Sequence, residues 1–186
     1  MLTPAQTATF KADVLADSTF SNVPHTSDGA FVIEAAYNAP SATNFLVWRT
    51  DVPVSNIYDS IDWTKYTPAD TPDATVTFTN RALVIQTKQM NLQNILQGRA
   101  TIDASKANTR AGLRDAVIAL PAGASGASIA AGGASGVATL TACTRIATRL
   151  EQLLVTSSPT TGKVTAGVMG FEGQISYSDV QTAMGW

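Results

Sequence analysis

Apolar side chains recur at Phe78, Ala82, Ile85, Leu92 and Leu96, the three-and-four spacing of one helix face, with Gln89 interrupting the stripe. Thr71, Pro72 and Asp73 supply a cap and an acidic first turn, and Gly98 a stop, so the spacing predicts a long helix over 72–97. A strand over 75–79, where polar and apolar residues alternate, competes there; the cap and the length of the later periodicity favour the helix. Leu113, Ala116, Val117 and Leu120 predict a helix over 108–120 that ends at Pro121. Leu140, Cys143, Ala147, Leu150 and Leu154 predict an amphipathic helix over 137–154, with Arg145 and Arg149 as a like-charged pair in need of an acidic neighbour.

Helix caps set the remaining boundaries. Thr3, Pro4 and Gln6 form a capping box ahead of a helix over 4–16, and Asp17 with Ser18 offers a stop or a new cap. A shorter helix is expected over 30–37, between Ser27-Asp28-Gly29 and the Asn38/Pro40 pair, and another from Val54 through Ile57, Tyr58 and Ile61. Residues 45–54 are aromatic and β-branched, but Pro53 argues against a central strand and for an extended edge. Phe171, Gly173, Ile175 and Tyr177 alternate with polar residues in the period of a strand, and Ser178 with Asp179 can cap a last short helix.

These patterns predict a mainly α fold: a single helical-bundle domain of five or six helices over 1–156, followed by a C-terminal extended arm over 157–186. With 186 residues and 45% hydrophobic content the chain can bury one sizeable core, and two full domains would be unusually small. Five glycines, six alanines and three serines fill residues 121–136, a composition that buries little and reads as a loop or hinge.

Composition narrows the chemistry. His25 is the only histidine and Cys143 the only cysteine, which leaves no zinc framework, no internal disulfide and a core role for Cys143. The carboxylate pairs Asp59/Asp62 and Asp70/Asp73 have a spacing common on solvated helix ends. The glycine-rich stretch lacks both the Gly-Lys-Ser/Thr ending of a phosphate loop and the Gly-x-Ser-x-Gly elbow. The expectation is no enzyme, no catalytic residue, no metal and no cofactor. No apolar run nears the roughly 20 residues of a membrane span, and the start lacks the regions of a secretory signal, so no membrane partner is expected and synthesis is expected in the cytosol.

Charge is lopsided although the total is only −2. Residues 1–80 carry three cations against nine acids, residues 81–149 eight cations against two acids. Three readings follow: pairing across one domain, an acidic face of one copy meeting a basic face of the next, or, less well supported without aromatic interleaving, contact with DNA. The second makes Arg81, Lys88, Arg110 and Arg114 interface candidates. Arg49, between Trp48 and Trp63, suits either an internal stack or ion pair, or a contact between subunits. Gln86, Gln89, Gln93 and Gln97 give the long helix an amide-rich side that is solvated or packs on another copy without burying charge. Phe171, Tyr177 and Trp186 are the anchors of a docking arm, and Trp186 either folds back or docks on a neighbour.

Two segments carry a resemblance. Trp48, Arg49, Thr50, Val52, Pro53 and Ile57 form the first, and Phe171, Glu172, Gly173, Tyr177, Asp179 and Val180 the second. With residues 2–6 and 108–113, they make the chain resemble, almost end to end, a family of small proteins encoded among the structural genes of tailed bacteriophages and prophages. The resemblance implies a virion component assembled in the host bacterial cytoplasm, with no catalytic residue. A short helical chain with extended segments fits an oligomeric head-tail connector or adaptor of the neck or tail, a homo-oligomeric ring with portal, tail or fibre proteins as partners and possible passage of DNA through it. A capsid-decorating protein and a tail-tip or fibre-attachment protein stay open.

Overall fold

A computed structural model describes residues 1–66, 78–117 and 134–186. The start of the helix expected from 72, the last turn of the one expected to 120 and most of the glycine-rich loop lie outside them. Among the described residues the chain forms α1 (Pro4–Ala16), α2 (Ser27–Asn38), β1 (Leu46–Trp48), β2 (Val52–Pro53), α3 (Val54–Asp59), α4 (Phe78–Leu96), β3 (Thr101–Ile102) and α5 (Ala107–Val117). After these come α6 (Ala134–Ala142), β4 (Thr144–Ile146), α7 (Arg149–Leu153), β5 (Val155–Ser157), β6 (Thr160–Thr161), β7 (Val164–Thr165), β8 (Val168–Met169) and α8 (Tyr177–Met184).

This corrects the expected helical bundle. The fold is mixed α/β, with eight α-helices and four two-stranded sheets, β1–β4, β2–β3, β5–β8 and β6–β7, among the described residues. The predicted helix over 137–154 is the main casualty. The Thr148 side chain accepts from the Glu151 N–H while the Glu151 carboxylate accepts from the Thr148 N–H, so α7 starts afresh and the β-branched Thr144 and Ile146 lie in a strand. Leu140, Cys143, Ala147, Leu150 and Leu154 are nonetheless all buried.

The chain divides into two compact units. The first comprises 1–47, 146–158 and 166–186. Its core gathers Phe10, Val14, Ile33, Tyr37, Leu150, Ile175, Val180 and Met184, with Phe10 edge-on to Tyr37 at 4.8 Å. Residues 166–186 therefore belong to a core, and 171–176 form no strand. The Ser176 hydroxyl accepts from the Asp179 N–H and the Asp179 carboxylate accepts from the Ser176 N–H, which places the cap of α8 two residues before the expected Ser178. On α2, Gly29 passes so close to Pro24 that a Cβ there would lie 1.9 Å from the Pro24 carbonyl oxygen.

The second unit comprises 48–145 and 159–165. Here α5 packs on α4 and α6, burying Ile85, Leu92, Leu96, Leu113, Val117 and Leu140. The β2–β3 pair sets Val52 opposite Ile102 and Pro53 opposite Thr101. Trp48 is fully buried, whereas Trp63 is half-exposed and donates its indole N–H to the Tyr58 carbonyl at 3.1 Å.

Candidate interaction surface

Much of both motifs is engaged in folding. In the first, Trp48, Val52 and Ile57 are buried and Pro53 precedes α3. The Arg49 main chain is bonded on both sides, its N–H to the Cys143 carbonyl and its carbonyl to the Ala104 N–H. In the second, Val180 is core, Asp179 caps α8, and Gly173, at φ 117°, donates its N–H to the buried Glu151 carboxylate at 3.1 Å. Asn38 clamps the same segment, accepting from the Ile175 N–H and donating to the Ile175 carbonyl.

The candidate cations divide sharply. Arg49 pairs within the chain with Asp51 at 3.0 Å, and that bond holds the Asp51 carboxyl below its ordinary value. Lys88 donates to the backbone carbonyl of Asp115. Arg114 lies beside Gly162 with its Nε buried and unpartnered among the described residues. The Arg81 side chain lies outside the described residues.

Arg110 is not a surface residue at all, being 3% exposed. Its guanidinium donates to the Ala104 and Ser105 carbonyls at 2.8 and 2.6 Å and to the Thr161 hydroxyl at 3.2 Å, and lies 4.9 Å from the Trp48 ring centroid. Asp103 orients that turn by accepting from the Ser105 N–H and hydroxyl. Desolvation pulls the Arg110 pKa below its ordinary value, with Asp103 opposing.

In the first unit Arg149 finds its acidic neighbours, Asp17 at 2.7 Å and Asp13 at 3.0 Å, and lies 4.3 Å from the Tyr37 ring centroid. Desolvation pulls Arg149 down and the bonds to Asp17 and Asp13 outweigh it, so its pKa is raised. Asp17 is lowered to about 2 by hydrogen bonds from the Thr19 side chain and N–H and from Arg149. The Tyr37 hydroxyl donates to Asp13, and burial, then that bond, raises its pKa.

Of the aromatic anchors, Trp186 folds back to stack on His25 at 4.6 Å, and Phe171 packs half-buried against its own core. Tyr177 differs. It is exposed and stacks at 4.5 Å on Phe31, itself 51% exposed, beside Val32 at 53%. With Ala35 they make an apolar stripe along α2. The second unit shows a counterpart on α4, where Leu83, Val84, Thr87 and Met90 face solvent. From the sequence only the amides of α4 stood out. A stripe of exposed Leu, Val and Met on a helix that has another, buried stripe was the available signal.

Among the described residues no three His, Cys, Asp or Glu side chains gather as metal ligands, and no helix is long and apolar enough to cross a membrane. A recess of the second unit is lined, among the described residues, by Tyr58, Trp63, Gln89, Leu92 and Gln93, none of them charged. No known protein family, curated protein or solved structure matches the chain. The phage resemblance rests on its motifs alone.

Proposed function

We propose that this chain is a structural component of a tailed-bacteriophage virion, an oligomeric head-tail connector or adaptor that works by contact and carries out no reaction. The observation that supports this reading most is the treatment of charge. Arg49, Arg110 and Arg149 are engaged inside their own units, while each unit leaves an apolar helix stripe in water. Exposed apolar patches of this kind mark contact sites. The assembly runs through those faces rather than through rows of arginines. Electron microscopy of particles in which this protein carries a density label tests the reading: a ring of label at the neck or tail is expected, and particles without the label overturn it.

A further inference from the structure

We infer that the exposed face of α4 in one copy seats on the Phe31/Val32/Tyr177 face of the next copy, so that copies join head to tail. This rests on the structural-subunit reading and adds to it the partner of each face. On α4 the stripe is Leu83, 56% exposed, Val84, Thr87 and Met90, 60% exposed, flanked by Asn91 and Asn94. Between 83 and 97 the only charge is Lys88. Two copies can bury such a face without stranding an ion.

Charge decides which face meets which. The exposed stripe of α2 lies on a helix that carries Asp28 and Glu34 and no cation, and α8 beside it adds Asp179. The α4 helix carries Arg81 and Lys88 and no acid. Among the described residues neither Asp28 nor Glu34 pairs with a cation, and Lys88 is bonded to a carbonyl rather than to a carboxylate. Pairing α2 with α2 sets acids against acids, and pairing α4 with α4 sets cations against cations; only the unlike pairing attracts. An unlike pairing is heterologous, the kind that generates a ring when its rotation closes.

Size sets the strength. Residues 83–96 rise about 20 Å, and one helix face of that length falls short of the roughly 800 Å² per partner of a standard interface. A single contact is weak, and a closed ring repeats it in every copy.

The test uses the full chain with Val32→Cys and Met90→Cys, both at exposed positions. The native Cys143 stays out of the reaction, because it is buried and its thiol is pushed up to about 12 by desolvation. Under mild oxidation an equimolar mixture of the two single variants should give a disulfide dimer that neither gives alone, the double variant should give a ladder of higher oligomers, and added salt should slow both. Dimerisation of either single variant as fast as the mixture overturns the inference, because like faces then meet. Failure of the mixture and the double variant to cross-link, both in solution and in assembled particles, also overturns it. If labelled protein is present in particles in which residues 32 and 90 never cross-link, the contact is wrong and the structural-subunit reading stands. If the protein is absent from particles, that reading falls, and cross-linking in solution still decides the contact.

Discussion

Arg149 in the first unit and Arg110 in the second are both arginines laid against an aromatic ring, yet they are held by opposite means. The Arg149 side chain is 34% exposed and takes two carboxylates, Asp13 and Asp17. Arg110, at 3%, takes backbone carbonyls and a hydroxyl, with no carboxylate in contact among the described residues. A half-exposed guanidinium keeps part of its hydration, so its ion pairs are screened and modest. A buried one must have its donors filled, and carbonyls aimed by a fixed turn fill them without requiring a second charge to leave water. The two units therefore depend on their arginines in different ways, one through titratable partners and one through fixed dipoles.

Replacing each anchor should expose that difference. Arg110→Met leaves the Ala104 and Ser105 carbonyls unpaired and should cost at least about 3 kcal/mol, read as a lowered denaturation midpoint. Arg149→Met should cost about 1–2 kcal/mol, since its bonds are charge-assisted but screened. Tyr37→Phe keeps the ring in the core and removes only the hydroxyl that donates to Asp13; about 1 kcal/mol is expected in the same measurement. Met90→Glu touches neither anchor and should shift stability by no more than about 0.5 kcal/mol. A large loss from Met90→Glu would show that the α4 stripe is already covered within the chain.

Much of this was legible where a local signal stood alone. The Thr3/Pro4/Gln6 box set α1 at 4–16. The stripe from Leu140 to Leu154 marked buried positions correctly and the element wrongly, because helix, strand and helix in succession can bury the same residues as one long helix. The Thr148–Glu151 capping box that breaks it stood in the sequence and was passed over. Arg110 is the deeper failure. Its place under Trp48 depends on pairing residue 110 with residues 48 and 161, and nothing local distinguishes it from Arg114, one turn along. The charge asymmetry was legible in composition but its placement was not, because which acids close on arginines of their own units, as Asp13, Asp17 and Asp51 do, depends on tertiary contacts.

The contrast between the two anchors is tested most directly by chemical denaturation of the parent chain, Arg149→Met and Arg110→Met as pH falls from neutrality to about 2. Asp17 is lowered from 3.8 to about 2 in the folded chain, so its contribution is fully present above 3.8 and is lost as pH falls through about 2. Arg149 supplies part of that lowering and Thr19 the rest. The destabilisation caused by Arg149→Met should therefore shrink across that window. The carbonyls and hydroxyl that hold Arg110 do not titrate there, and Asp103 acts on it without a direct bond, so the destabilisation caused by Arg110→Met should keep most of its size. If both penalties shrink together, or the Arg149→Met penalty stays level down to about pH 2, the distinction between the two anchors is wrong.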